Sequence, residues 1–273
     1  MAKSIDFSVI APPAYLQEFV AQDPARVHHV AAQWVLSDAT YRAFFAREAT
    51  RGAEIIVDNG VFDLGYALPA AELVEAGRAV GAKEIILPDV MRDGAATMRA
   101  SEQAAKEIRN LAGDAFRLCA VLHAADDEDW LRTYHAIVLS DWAGAIALPA
   151  SRRPDPNGQL SRTRWTATAY LEERGLVEER IVYRLLGLGR TGHLELVEQR
   201  EHEWITSVDG AAPVILGAMG VALLPEGRYE KPSTPRIEKL GPIAEDRFDL
   251  IRQNIAIVRA AAGSNVKIAE ENR

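Results

Sequence analysis

Short apolar runs alternate with longer segments of helical periodicity along most of the chain, and this alternation constrains the fold more than any other feature. Strand–helix alternation at this spacing predicts parallel strands joined by right-handed crossovers. Eight such units favour closure into a barrel, although an open sheet would show the same periodicity. The length of 273 residues fits one (β/α)8 barrel, which needs about 250. We therefore predict an α/β protein, a single-domain TIM barrel. The predicted strands are residues 5–10, 27–31, 54–57, 84–87, 117–122, 143–147, 181–186 and 204–208.

Helix signals separate most of these strands. Asp38 is suited to an N-cap, and Pro69 with Gly81 shows the expected placement of Pro near the start and Gly just past the end of a helix. Residues 216–244, rich in Gly and Pro, are expected to form an irregular loop over one end of the barrel, and residues 263–273 a polar tail. The predicted helices are residues 38–51, 69–80, 93–111, 126–139, 161–174, 192–200 and a closing helix at 245–262.

Three of the predicted strands lead into an aspartate. Asp58 follows the third strand within Val57-Asp58-Asn59-Gly60, and Asp89 and Asp209 follow the fourth and eighth. Parallel α/β folds place their chemistry at the carboxyl ends of the strands, which share one edge of the sheet. We therefore expect the three carboxylates to meet at one rim of the barrel.

The overall charge restricts the classes of partner. The formal net charge is −8, which argues against a large non-specific nucleic-acid surface, because such surfaces depend on phosphate neutralisation. A local basic patch remains open in Ser151-Arg152-Arg153 together with Arg162 and Arg164. A solvated loop and helix face explains the same residues equally well.

Metal, disulfide and membrane signals are all weak. The single cysteine, Cys119, excludes an intramolecular disulfide and a zinc site built from several thiolates. His28-His29, His193 and His202 show no metal-ligand spacing, so we assign no metal and no cofactor. No apolar run reaches about 18 residues and no charged-then-apolar leader opens the chain. We expect a cytoplasmic protein without a membrane span.

A series of short motifs at the strand ends follows one order along the chain. The series consists of Asp58-Asn59-Gly60-Val61-Phe62, Pro88-Asp89, Val121-Leu122-His123-Ala124, Ala145-Ile146-Ala147-Leu148, Leu186-Gly187-Leu188-Gly189 and Val208-Asp209-Gly210-Ala211-Ala212-Pro213. In order, spacing and position it resembles the tRNA-guanine transglycosylase family, including the small zinc-less relatives that act on deazapurines in DNA. The matched family motifs are Asp-Ser-Gly-Gly-Phe/Tyr, a pocket Asp, Val-Gln-Gly-Gly, Gly-Gly-Leu, Met-Gly-Val-Gly and Asp-x-x-x-Pro. The resemblance covers roughly residues 54–213.

Two departures from the family pattern bear on the substrate. The family's Cys/His zinc element is missing, since the chain has one cysteine. The basic segment after the nucleophile is missing too, because Pro213 is followed by Val214-Ile215-Leu216. Both features serve the members that act on tRNA. Their absence favours DNA or a free nucleoside over tRNA.

The resemblance implies a TIM barrel and an exchange of nucleobases, with a role for each matched residue. Asp209 would be the nucleophile that forms a covalent bond to the sugar, and Asp58 the general acid/base. Asp89 would accept hydrogen bonds from the N–H edge of the base. The remaining expected contacts are Asn59, His123 and the backbone at Ala147 and Leu148 for the base edge, Phe62 for stacking, and Gly187 and Gly189 for close backbone approach to the sugar.

Structural explanations compete with these roles. Asp58 and Asp209 could be helix caps or turn residues, and Asp89 could cap the helix that follows it. His123 and Phe62 could be core residues. Gly187-x-Gly189 could be a tight turn or a phosphate-binding loop between a strand and a helix.

Three functions stay open at this point. The first is the exchange of guanine for a 7-deazapurine in a polynucleotide, with DNA favoured. The second is a nucleoside hydrolase or base exchanger acting on a small substrate. The third is a non-catalytic subunit that binds an active relative, and a homodimer is also open. A conventional phosphate-binding barrel, the remaining alternative, would normally show a Lys or Glu at a strand end.

Overall fold

Eight parallel strands form one sheet in the described part of the chain, with the order β1-β8-β7-β6-β5-β4-β3-β2. A computed structural model describes residues 4–21, 26–150, 163–188, 192–226 and 234–263. The first and last strands in this order, β1 and β2, approach each other to close the barrel, and the backbone N–H of His29 donates to Ser8 Oγ across the seam at 2.8 Å. The prediction of a single-domain (β/α)8 TIM barrel is confirmed. The strands are β1 (Asp6–Val9), β2 (Val27–Ala31), β3 (Glu54–Asp58), β4 (Glu84–Ile86), β5 (Arg117–Val121), β6 (Ala145–Pro149), β7 (Val182–Leu186) and β8 (Ile205–Gly210).

Helices cover the outside of the barrel. Asp38 caps α3 by accepting hydrogen bonds from the backbone N–H groups of Thr40 and Tyr41, as predicted. Helix α5 begins after Pro69 and ends at Gly81, which takes a φ of 64°. Among the described residues, no helix is both long and apolar enough to cross a membrane. The helices are α1 (Leu16–Phe19), α2 (Ala32–Ser37), α3 (Ala39–Thr50), α4 (Val61–Leu64), α5 (Ala70–Val80), α6 (Gly94–Ala112), α7 (Asp127–Leu139), α8 (Thr163–Glu173), α9 (His193–Gln199), α10 (Ala212–Ala218) and α11 (Phe248–Ala261).

The sequence-based prediction of an irregular segment from residue 216 is wrong at its start. Residues 216–218 belong to α10, whose first turn contains Pro213, a residue that helices accept at that position. Gly217 lets α10 pack directly on α11, since a Cβ there would lie 2.5 Å from Ile251 Cγ1. Ile237–Lys239 forms a 3-10 turn within the same segment. The short helices α2 and α4 were also missed, because four to six residues are too few to show a helical period.

A charged cluster fills the amino end of the barrel interior. Arg184 is 1% exposed and donates to Glu84 at 2.8 Å and 2.9 Å, to Glu54 at 2.6 Å and to Ser207 at 2.9 Å. Arg117 contacts the same two glutamates at 2.9 Å and 3.0 Å. The side chains of Ile56, Ile86, Cys119, Val121, Ala145 and Ala147 form an apolar layer inside the same sheet. Because strand side chains alternate, Glu54, Ile56 and Asp58 share the inward face of β3.

Replacing Arg184 by Met should lower the free energy of unfolding by about 3–5 kcal/mol, because it removes the main cation beside the buried carboxylate of Glu84 and the half-buried carboxylate of Glu54. Urea unfolding at pH 7 measures the difference. Arg26→Met is the matched control, since Arg26 pairs with Asp6 at 3.0 Å but is 72% exposed. That exposed pair should contribute less than about 1 kcal/mol. Equal losses in the two variants would contradict the buried ion cluster as a source of stability.

Candidate active site at the carboxyl rim of the barrel

The three aspartates predicted to converge do lie at one rim. Asp58 is the last residue of β3, Asp209 is the last but one of β8, and Asp89 lies three residues after the end of β4. The negative charges of Asp209 and Asp89 both raise the pKa of Asp58, so both carboxylates lie close enough to act on Asp58 electrostatically. The strands of the barrel therefore collect groups that are more than 100 residues apart in sequence.

Asp58 belongs to a tight turn, and its pKa is raised. Its Oδ1 accepts a hydrogen bond from the backbone N–H of Gly60 at 2.8 Å. Gly60 has a φ of 85°, and a Cβ there would lie 3.1 Å from Leu64 Cδ1, so this turn needs glycine. Gly60, not Asp58, holds the cap position of α4. Burial, followed by the charges of Asp209 and Asp89, raises the pKa of Asp58 to about 7 against the lowering effect of the Gly60 bond.

Asp89 forms a buried cluster with Asn59 and His123. Asn59 Nδ2 donates to Asp89 Oδ1 at 2.7 Å and to the carbonyl of Leu87 at 2.6 Å, and His123 Nε2 contacts Asp89 Oδ2 at 2.8 Å. The second ring nitrogen of His123, Nδ1, is buried without a hydrogen-bond partner. The alternative that Asp89 caps the next helix is wrong, because Asp93 caps α6 through the N–H of Ala96.

Asp209 is buried at the end of β8. Its Oδ1 accepts a hydrogen bond from the backbone N–H of Gly187 at 2.8 Å and lies 3.9 Å from His29 Nδ1. Burial raises the pKa of Asp209 to about 6, and the Gly187 bond and the charge of Arg164 offset part of the rise. Asp209 is not a helix cap, since α10 begins after Ala211.

Arg164 holds the ends of β6 and β7 beside Asp209. It forms two bonds to Glu195, at 2.7 Å and 2.8 Å, and donates through Nη1 to the carbonyls of Leu148, Leu186 and Gly187. Both interpretations of Arg164, as part of a basic patch and as part of a solvated helix face, are wrong, because its side chain is 2% exposed and bonded inside the protein. The other members of that patch, Ser151-Arg152-Arg153 and Arg162, lie outside the described residues.

The remaining predicted contacts differ in accessibility. Ala147 and Leu148 are buried in β6, and their carbonyls already accept bonds from the backbone of Leu122 and from Arg164. Phe62 is not a core residue: it is 69% exposed on α4, with the Arg236 guanidinium 5.8 Å from the ring centroid. Gly187 has a φ of 72°, which favours glycine. Gly189 lies outside the described residues.

Sequence reasoning did not identify His29 or Arg164 as part of this site. The parity of β2 gave a signal for His29, because it places that residue on the inward face two positions before the strand end. No comparable signal marked Arg164, whose partners come from β6, β7 and α9.

Across the described ranges, no three His, Cys, Asp or Glu side chains are grouped so as to hold a metal ion.

The arrangement suits proton transfer and nucleophilic attack. Two carboxyl groups have pKa values raised toward neutrality, and a third is held by an amide donor and an imidazole.

A scan of the sequence against models of protein families gives no match, and a search among curated proteins gives none. The chemistry of this rim must therefore be inferred from its residues.

At pH 8, replacing Asp58 by Asn should raise the free energy of unfolding by about 1–3 kcal/mol, because the amide has no charge to bury. In the folded protein the pKa of Asp58 is about 7, whereas the ordinary pKa of an aspartate is 3.8. The wild type therefore loses stability as pH rises between these values, and the loss is complete above them. The Asn variant should show its full gain at pH 8 and none near pH 4.

Urea unfolding at pH 4 and at pH 8 measures this difference. The Asn side chain keeps an oxygen that can accept the Gly60 N–H, so the turn itself is retained. A variant that is less stable than the wild type at both pH values would contradict the raised pKa of Asp58.

Proposed function

We propose that the protein exchanges one purine base for another at an N-glycosidic bond, through a covalent bond between Asp209 and the sugar. The preferred reaction replaces guanine by a 7-deazapurine in a polynucleotide, with DNA favoured over tRNA. The observation that carries the proposal is the convergence of Asp58, Asp89 and Asp209 at one rim, with the pKa of Asp58 raised to about 7 and that of Asp209 to about 6.

Cleavage of the old bond uses two carboxyl groups with different protonation. Asp209 Oδ1 is held by Gly187, which leaves Oδ2 to attack C1′ of the sugar. As the bond from C1′ to the base breaks, its electron pair goes to the base nitrogen. Asp58, whose pKa is raised to about 7, donates a proton to that nitrogen. This division of labour is that of retaining glycosidases, with a nucleobase as the leaving group.

Formation of the new bond is the reverse sequence with another base. The incoming base gives its N–H proton to Asp58, and its nitrogen attacks C1′. The bond between C1′ and Asp209 breaks, and its electron pair returns to the carboxylate. Two displacements at C1′ retain the configuration of the sugar.

The Asp89 cluster supports selection of the base. Asn59 and His123 both donate toward Asp89 when His123 carries a proton on Nε2, which leaves the other lone pairs of Asp89 and the Nδ1 of His123 as acceptors. An edge made of acceptors favours a base that presents N–H donors. Guanine and 7-deazaguanines present adjacent ring and amino N–H groups.

Exposed apolar side chains after β3 and β4 support a polymeric substrate. Phe62, Tyr66 and Met91 are 69%, 61% and 61% exposed, and the two segments that carry them are joined by the bond from Asn59 to Asp89. Exposed rings beside a base pocket suit stacking by the neighbouring nucleotides.

The net charge of −8 favours the second candidate, base exchange or hydrolysis on a free nucleoside.

Incubation with labelled guanine or a labelled 7-deazapurine, in the presence of guanine-containing DNA or RNA, tests the proposal. Label should enter the polynucleotide, and Asp209→Ala should lower the rate at least about 1,000-fold, as expected on loss of a nucleophile. Asp209→Asn should form no covalent adduct with the sugar. Incorporation that persists in Asp209→Ala would overturn the role of Asp209. Reaction of free nucleosides alone would favour the second candidate.

Replacing Asp89 by Asn should lower kcat/KM for the incoming guanine about 10- to 100-fold, because it turns one acceptor of the base pocket into a donor. The rate measured with saturating base should change less. Asp93→Asn is the matched control, four residues further on, since an amide can still cap α6. Unchanged kcat/KM in Asp89→Asn would remove Asp89 from base recognition.

A further inference from the structure

His29 is a buried imidazole that the roles assigned above leave unused. It lies on the inward face of β2 and is 4% exposed, and burial lowers its pKa to about 3, so the ring is neutral. Neither ring nitrogen has a hydrogen-bond partner among the described residues. Its Nδ1 lies 3.9 Å from Asp209 Oδ1, and the Asp209 carboxylate favours the tautomer with the proton on Nδ1.

An unpartnered polar group inside a barrel is costly. Burying such a group without a hydrogen bond costs about 1–3 kcal/mol, and native structures contain few. The separation of 3.9 Å is too long for a hydrogen bond but short enough to become one after a shift of about 1 Å. Catalytic hydrogen bonds are often long in a free enzyme and tighten when substrate is bound.

His28 provides an internal comparison. It is the preceding residue of β2, it is also buried, and neither of its ring nitrogens has a partner. Its ring packs edge-on against Phe45 of α3, with 5.4 Å between centroids, on the outer face of the sheet. Of these two histidines, His29 is the one that faces the Asp209 carboxylate.

We propose that His29 is a positioning residue for Asp209: its Nδ1–H and the N–H of Gly187 together hold Oδ1 while Oδ2 forms and breaks its bond to the sugar. This inference rests on the covalent role proposed above for Asp209. Two donors on Oδ1 fix the rotation of the carboxylate and so direct Oδ2 at C1′.

The same two donors act when the covalent bond breaks. The C1′–Oδ2 bond breaks as the incoming nitrogen bonds to C1′, and the electron pair of the broken bond spreads over both oxygens of Asp209. Donors placed where this charge develops lower the barrier, as in an oxyanion hole. The proton lost by the incoming base goes to Asp58, so His29 stays neutral and no further reactant is needed.

Three variants test the proposal: His29→Leu, His29→Asn and the control His28→Leu. The Nδ2 of Asn occupies nearly the position of His Nδ1, so Asn restores the donor, whereas Leu fills the space without one. The measurements are kcat and KM for labelled guanine exchange in DNA, the fraction of protein carrying a sugar adduct by intact-mass spectrometry after rapid quenching, and the urea midpoint.

His29→Leu should lower kcat about 10- to 100-fold, at or below the loss typical of one oxyanion donor, with little change in KM. Its adduct should accumulate, because breakdown of the ester slows. His29→Asn should recover most of kcat, and His28→Leu should keep kcat whatever its urea midpoint. If His29→Leu does not fold, His29→Asn is compared with His29→Ser instead. A wild-type kcat in His29→Asn and a low kcat in His29→Ser then support the proposal.

Wild-type kcat in His29→Leu, equal losses in His28→Leu and His29→Leu, or no recovery in a folded Asn variant would each overturn the role of His29. If the wild type exchanges bases, Asp209→Ala abolishes the exchange and His29→Leu retains it, this inference is overturned and the proposed function is left intact. Absence of exchange and of adduct in the wild type would overturn both.

Discussion

Parallel hydrogen bonding through eight strands, from β1 round to β2, brings the polar groups of this protein together. In a parallel barrel all strands end at the same face, so a residue at a strand end meets the other strand ends whatever its distance in sequence. Asp58 and Asp209 are 151 positions apart in the chain, yet the charge of one raises the pKa of the other. The seam between β1 and β2 completes the barrel, and the bond from the His29 N–H to Ser8 Oγ spans it.

The inside of the barrel contains two polar layers that differ in how well they are satisfied. At the amino end, Arg184 and Arg117 neutralise Glu54 and Glu84 through short hydrogen bonds. At the carboxyl end, Asp58 and Asp209 have no cation within bonding distance among the described residues, and burial raises the pKa values of both carboxyl groups. Such uncompensated groups reduce stability, and proteins keep them where function requires them. This contrast supports the proposal that the carboxyl end of the barrel carries the chemistry, while the ion cluster at the amino end stabilises the fold.

The three carboxyl groups at the rim differ in their backbone and side-chain contacts. Gly187 and Arg164 fix the surroundings of Asp209, a single turn bond holds Asp58, and two side-chain donors hold Asp89. Burial raises the pKa of Asp58 to about 7, so this carboxyl group can exchange a proton near neutral pH. These environments are the physical basis of the proposed division between base recognition, proton transfer and nucleophilic attack.

The sequence by itself determined the alternation of parallel strands and helices and the positions at the rim, because both follow from local patterns, whereas closure of the sheet into a barrel was decided by the tertiary structure. Alternating periodicities define strands and helices, and an aspartate after an apolar strand defines a rim position wherever the sheet is parallel. The tertiary structure alone decided the inward turn of Arg164 toward β6 and β7, the packing of α10 on α11 through Gly217, and the exposure of Phe62. It also decided that Asp89 binds Asn59 and His123, and that His29 faces Asp209 without a bond. These features depend on contacts between residues far apart in the chain, and no local pattern records which distant side chain will occupy the space beside a given atom.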